Sequence, residues 1–284
     1  MRIALGVAAL VAVGAPASVA AQSYRTIVES RRLDRAEPLT VDVGFGVGKF
    51  RLAAGDRAEL YRVGLTYLED HFDPTVTYDA RRGRLRIELG DSRESSLDLG
   101  NIEDNRQRLD LALSTEVPLD LHLRFGAIES DIALGGLAVR SATIETGASE
   151  TVLSFSEPNK SACDALRLTV GAAQFEVIGL GNSRCRAVTL KGGVGQIVLD
   201  FTGAWAEGAE MRVSASVGLG EVRLRVPEDV GVRLEVSRFL AGLDLDGFTK
   251  RGSTYVSANY DRSPVKVRVD VNAAFGSIGV DWVR

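Results

Sequence analysis

A corner sequence of the form Gly-x-small-polar-apolar recurs seven times along this chain, and five of its copies fall at intervals of 21 to 25 residues. The copies read Gly46-Val47-Gly48-Lys49-Phe50, Gly126-Ala127-Ile128-Glu129, Gly147-Ala148-Ser149-Glu150, Gly171-Ala172-Ala173-Gln174-Phe175, Gly193-Val194-Gly195-Gln196-Ile197 and Gly218-Leu219-Gly220-Glu221-Val222. The seventh is degenerate, Ala274-Phe275-Gly276-Ser277-Ile278. A period of this size is the mark of one supersecondary unit stacked on itself, because no single unit of that length buries its apolar face alone.

The residues around each corner say what the unit is. Leu166, Leu168 and Val170 alternate with Arg167 and Thr169 before Gly171, and Phe175 and Val177 alternate with Glu176 after it. Val188 and Leu190 lead to Gly193, followed by Ile197, Leu199 and Phe201; Met211, Val213 and Ala215 lead to Gly218, followed by Val222, Leu224 and Val226. Alternation with period two gives each strand one buried and one wet face. Glycine at the corner lets the chain turn without a Cβ and permits positive φ. Two strands per repeat, stacked in parallel, make a β-solenoid. Antiparallel hairpins would bring the corners closer together than about 22 residues. Loop-forming stretches such as Ser156-Glu157-Pro158-Asn159 and Gly179-Leu180-Gly181-Asn182 return the chain to the next layer. Thirty glycines against seven prolines agree with many short strands and tight corners.

Both cysteines sit eight residues before a corner glycine, Cys163 before Gly171 and Cys185 before Gly193. Equivalent positions on stacked layers lie ~4.7–4.9 Å apart, inside the ~4.4–6.8 Å window for a disulfide. A Cys163–Cys185 bond is expected in an exported protein; two buried thiols in a ladder are the alternative.

Outside the regular repeats the chain is less periodic. Residues 1–21 have the layout of a secretory signal peptide: Arg2, an apolar run from Ile3 to Val13, the breakers Gly14 and Pro16, then Val19 and Ala21 ahead of Gln22. The run is short of the ~20 residues that span a bilayer, and no later stretch is long and apolar enough to cross as a helix. Residues 22–120 are expected to form an N-terminal β region and cap, with one isolated rung around Val41–Leu52 and a hairpin turning at Arg81-Arg82-Gly83. Residues 91–108 are polar and read as a loop. Residues 121–230 form the regular repeats, and 231–284 the C-terminal strands and a closing rung. Both ends are read as caps, because an open end exposes unpaired strand edges.

Several of these residues resemble a known family. The run Gly147-Ala148-Ser149-Glu150-Thr151, the corner Gly193-Val194-Gly195 and the stretch from Gly247-Phe248-Thr249-Lys250-Arg251-Gly252 to Asn259-Tyr260 resemble the bacterial toast-rack domains. These are adhesin-like β-solenoid modules also found as the C-terminal domain of cell-wall-active antibiotic response proteins. Tyr78 to Leu89 resembles the toast-rack N-terminal region, and the likeness runs over about residues 38 to 284. The resemblance implies an all-β, single-stack solenoid with glycine corners, an extracytoplasmic location, and a role in envelope stress or surface interaction. Unlike the stress-response members, this chain has no transmembrane helices ahead of the solenoid.

Candidate chemistry is thin. The chain has two histidines. His71, in Glu69-Asp70-His71-Phe72-Asp73, matches no metal-ligand spacing and reads as a solvated turn; His122 alternates with Leu121 and Leu123 and faces outward. There is no Gly-x-Ser-x-Gly elbow and no Cys-His pairing. The glycine corners lack the strand-to-helix context of a phosphate loop. Asp244-Leu245-Asp246-Gly247 lacks the distal Glu of a calcium loop and reads as a β-turn. Glu129, Glu150, Gln174, Gln196 and Glu221 stack at one corner as a polar ladder. Acid–base work on sugars would use such a row, but two of its five members are amides and no aromatic platform recurs beside it.

No catalytic residue, metal or cofactor is expected. The net charge of −4 and the lack of a basic stripe argue against nucleic acid, and 6% aromatic residues argue against an outer-membrane barrel. The sequence reads as an exported, periplasmic or extracellular envelope protein that binds or scaffolds, its partner an envelope protein or a glycan. A surface adhesin or glycan-binding module is the rival reading, and a carbohydrate-active enzyme a more distant one.

Overall fold

The computed structural model describes residues 23–91 and 106–284. The expected signal peptide, residues 1–21, and most of the expected polar loop lie outside the described residues. Within them the protein is all-β apart from one helical turn, α1 (Leu180–Ser183).

Its body is a stack of eight long strands: β2 (Leu39–Ala54), β7 (Pro118–Ala133), β8 (Ala138–Ser154), β9 (Cys163–Ile178), β10 (Cys185–Asp200), β11 (Glu210–Pro227), β12 (Gly231–Asp244) and β15 (Lys266–Val283). They lie side by side in the order β2-β7-β8-β9-β10-β11-β15-β12, every neighbouring pair parallel. Each rung is a single strand that continues through its corner, where two separate strands per repeat are expected from sequence. The ladder stays in register across the bend, with Val170 opposite Gly192 before it and Ala172 opposite Val194 after it.

The core lies between the two arms of each bent strand. In β9 the inward residues are Leu166, Leu168 and Val170 on the first arm and Phe175 and Val177 on the second, all buried. Met211, Val213, Ala215, Val222, Leu224 and Val226 repeat this in β11. Each fully buried side chain of this kind favours folding by roughly 1.5–3 kcal/mol. The return loops close the third side and tie one layer to the next. Buried Asn159 accepts from the Val139 N–H (2.8 Å) and donates to the carbonyls of Val139 (2.7 Å) and Ser183 (3.0 Å). One layer on, the Asn182 side chain donates to the Phe155 carbonyl (2.8 Å) and accepts from the Ala204 N–H (2.7 Å).

At the N-terminal end both arms of β2 are covered. Its first arm pairs with β5 (Arg84–Asp91), the partner of β4 (Phe72–Asp79) in the hairpin that turns at Gly83, φ 58°. Its second arm pairs with β6 (Arg108–Leu113), which continues through β3 (Glu59–Leu68) to β1 (Tyr24–Arg32). Tyr61 is buried here, its hydroxyl donating to Glu29 Oε1 at 2.8 Å. Burial, together with that bond, raises its pKa well above the usual phenol value.

The C-terminal end is built differently. The rung expected to close the stack, β15, lies one place in from the end, between β11 and β12. Its inward residues Val267, Val269, Val271, Ile278 and Val280 are all buried, as a layer with neighbours on both sides requires. β12 is the outermost rung. Its first arm pairs with β14 (Thr254–Ser257) at Arg233–Glu235, and β14 pairs with β13 (Phe248–Arg251). From Ser237 to Asp244 it pairs with β15 alone among the described residues.

Candidate functional site: the corner columns

The register places Gly46, Gly126, Gly147, Gly171, Gly193 and Gly218 level with one another, since the residues flanking each are paired across every interface. None of them has positive φ. The need for glycine here is a contact between layers. A Cβ on Gly147 would stand 2.8 Å from the Gly126 carbonyl oxygen, one on Gly171 2.4 Å from that of Gly147, and one on Gly193 2.6 Å from that of Gly171.

Positive φ occurs two residues later, in a second column. Gly48, Gly195, Gly220 and Gly276 have φ of 132°, 141°, 146° and 123°. Gly276 therefore belongs to this second column, level with Gly220. In β7, β8 and β9 the same column holds Ile128, Ser149 and Ala173. Gly-x-Gly and Gly-Ala-x corners thus turn in two different ways.

Next along the second arm comes the polar ladder. Glu129, Glu150, Gln174, Gln196 and Glu221 are partners in successive layers. Lys49 extends the row and forms an ion pair with Glu129 at 2.7 Å. Gln196 Nε2 donates to Glu221 Oε2 at 3.3 Å. Glu221 is also held by Arg223, which reaches Asp281 at 2.9 Å; these two bonds keep the Arg223 guanidinium firmly protonated. One row further out, Arg225 spans two layers to Glu176 at 2.5 Å. The row is mostly exposed, with its end carboxylates already paired, and offers hydrogen-bonding groups at a repeat of about 4.8 Å.

Cys163 and Cys185 are register partners at the start of β9 and β10 and form a disulfide, with Cα atoms 4.1 Å apart, closer than plain strand spacing. His71 lies exposed in the turn between β3 and β4, and His122 faces outward on β7. Asp246 Oδ1 accepts the Gly247 N–H at 2.9 Å in a tight turn with Gly247 at φ 79°. Among the described residues no three His, Cys, Asp or Glu side chains gather into a group that could hold a metal ion.

A row of apolar residues at the bend is absent from the sequence reading. The central corner residues of β10, β11, β15 and β12 are Val194, Leu219, Phe275 and Leu240, adjacent in register and exposed. Phe239 is 76% exposed and Leu240 66%. The signal was present in the middle position of each Gly-x-Gly corner, where a turn open to water carries Val or Leu.

Bent parallel rungs, a disulfide between layers and stacked corner columns define a β-solenoid that displays side chains in rows. Residues 18–178, more than half of the chain, match the family described as N-terminal domain of toast_rack, DUF2154. The chain belongs to the toast-rack family. Residues 179–280 match the C-terminal domain of LiaF, described as cell wall-active antibiotics response. Similar solved structures include a candidate cell adhesion protein from Clostridium sporogenes (17% identity, 92% of this chain and 100% of that one, TM-score 0.49). A candidate adhesin from Bacteroides fragilis shows 11% identity over 92% of this chain and 99% of that one, TM-score 0.45. Another, from Parabacteroides distasonis, shows 10% identity over 90% and 98%, TM-score 0.31. No curated protein sequence matches.

Proposed function

We propose that this protein is a non-catalytic binding and scaffold module of the cell envelope, exported by its first 21 residues and acting in the response to cell-wall stress. The observation that carries this reading is the match of residues 179–280 to the C-terminal domain of LiaF, a cell wall-active antibiotics response protein. The geometry supports it: the outer faces are ladders of single side chains at fixed spacing, suited to engaging a repetitive or extended partner. In this reading residues 22–120 supply the first rung, β2, and its cap, 121–230 form the regular body, and 231–284 add the last two rungs.

Deleting the gene and measuring sensitivity to cell-wall-active antibiotics tests the proposal. Altered sensitivity, restored by the wild-type copy, is expected; unchanged sensitivity across such antibiotics overturns it. Mass spectrometry of the protein recovered from the envelope fraction is expected to show loss of residues 1–21.

The exposed Glu150, Gln174 and Gln196 row favours a second reading, a glycan-binding adhesin, because carboxylate and amide groups hydrogen-bond sugar hydroxyls. A glycan array decides it: a hit abolished by Glu150→Ala and Gln174→Ala supports this reading, and an empty array rejects it.

A further inference from the structure

We propose that the bend of the C-terminal rungs is a membrane-docking edge, whose apolar crest inserts into the surface of an anionic lipid bilayer. The inference rests on the envelope location proposed above and adds a surface and a partner to it.

The crest is linear and continuous. Val194, Leu219, Phe275 and Leu240 occupy one row across four neighbouring layers, about 14 Å from end to end at strand spacing. Phe239 widens it at the outer end, its ring meeting Phe275 edge-on at 5.9 Å. Exposed apolar side chains gathered in this way, instead of scattered, mark an interaction surface. The same row in β7, β8 and β9 holds only Ala127, Ala148 and Ala172, and in β2 the half-buried Val47, so the continuous exposed crest is confined to the C-terminal half.

Two features fit lipid. First, Val194 and Leu219 are flanked by Gly193 and Gly195 and by Gly218 and Gly220, and Phe275 by Ala274 and Gly276. No charged side chain lies within one residue of these three, so this part of the crest can sink without dragging a charge with it; at the outer end Arg238 directly precedes Phe239 and marks the depth limit. The strands of β10, β11 and β15 run through the bend in register with neighbours on both sides. Their backbone is therefore laddered to protein, the condition for placing backbone in an apolar medium; β12, open on its outer side from Ser237 to Asp244, would insert only the Phe239 and Leu240 side chains and keep its backbone at the headgroups.

Second, the outward row at the foot of the crest, Lys191, Ser216, Asn272 and Ser237, holds a cation and no carboxylate, the first carboxylates, Asp270 and Glu235, standing one row further from the bend. Lys191 and Arg238 border a groove with Ser216, Ser237, Phe239 and Asn272. Arg238 donates to the Ala241 carbonyl, and among the described residues neither cation has a carboxylate partner. On the opposite flank Gln196 is neutral and Glu221 is paired with Arg223. An apolar tip with unpaired Lys and Arg at headgroup depth is the arrangement of interfacial anchors, and its charge selects anionic lipid. The outer end is open, because β12 carries no further strand from Ser237 to Asp244 among the described residues.

Flotation of the purified protein with vesicles of phosphatidylcholine, alone or mixed with phosphatidylglycerol, tests this. Binding is expected to the mixed vesicles and to be weaker to the neutral ones. The double variant Phe239→Ser/Leu240→Ser is expected to bind at least about tenfold more weakly, with unchanged circular dichroism and melting. Lys191→Glu/Arg238→Glu is expected to lose the preference for anionic vesicles, and Val28→Ser, an exposed apolar position on β1, to bind as the parent does. Absence of vesicle binding by the parent overturns the proposal, as does binding indifferent to the serine variants. A dimer in analytical ultracentrifugation that those variants dissolve also overturns it, making a second copy the occupant. The antibiotic sensitivity of the gene deletion is read without vesicles, so either proposal can fail alone.

Discussion

A Cβ placed on Gly126 would lie 2.3 Å from the carbonyl oxygen of Gly46, whereas one placed on Gly46 meets no atom within 4 Å. Each glycine of the first column is required by the carbonyl of the layer before it, and the first member has no such layer. Gly126→Ala is therefore expected to cost about 3 kcal/mol, the scale of a severe backbone clash. Gly46→Ala has ordinary φ and open space, and is expected to be neutral or to stabilise by up to about 1 kcal/mol through the unfolded chain. Urea unfolding of the two variants side by side measures the contrast.

The Cys163–Cys185 bond closes a separation of 22 residues, for which chain entropy gives about 3 kcal/mol. Replacing both cysteines by alanine is expected to lower the unfolding free energy measured in urea by that amount, with a correspondingly lower midpoint, while leaving the β-sheet circular dichroism intact. Reductant is expected to shift the parent toward the variant and to leave the variant unmoved.

Asn159→Ala removes three side-chain hydrogen bonds from a fully buried site and takes a partner from the Val139 N–H and the Ser183 carbonyl, while the Val139 carbonyl keeps the Ser161 hydroxyl at 3.0 Å. A loss of about 3 kcal/mol is expected. Hydrogen exchange is expected to rise most at Val139 and at the start of β9, which a general loosening of the fold would not single out.

Asp42 is held by a two-pronged bond from Arg84, at 2.5 and 3.2 Å, which lowers its pKa below the ordinary carboxylate value against an opposing push from burial. The unfolded chain then binds the proton more readily. The contribution is present above the unfolded value of about 3.9 and is lost as pH falls through the lower native value. Asp42→Asn is expected to cost about 1–2 kcal/mol at pH 7 and little at the acid end. Its stability profile below pH 4 should be flatter than the parent's.

Much of this architecture can be read from residue spacing. Leu166, Leu168 and Val170 with Gly171 define an arm and its bend, and the 22-residue offset between Cys163 and Cys185 places them side by side. The reason for glycine was harder to see: Gly171 has no unusual dihedral and answers to an oxygen of Gly147, a contact that exists only once the layers are stacked. Long-range order was also hidden. Lys266–Val283 has the alternation of any rung, and nothing local says that it enters between β11 and β12. At the site, the polar ladder from Glu129 to Glu221 follows from the period. The crest at Leu219 and Phe275 is not legible in the sequence, because an apolar residue inside a strand pattern reads as core until the bend exposes it. The clamps made by Asn159 and Asn182 were equally silent, since asparagine in a loop is ordinary turn chemistry until its partners are known.

β15 is made after β12 yet occupies the berth between β11 and β12. Vectorial assembly, adding each layer as the chain emerges, must therefore halt at β11. β12 has no seat until about 40 further residues have arrived to fill the gap beneath it. Truncation within 266–283 would leave the outermost plank in place in the sequence but with nothing to rest on.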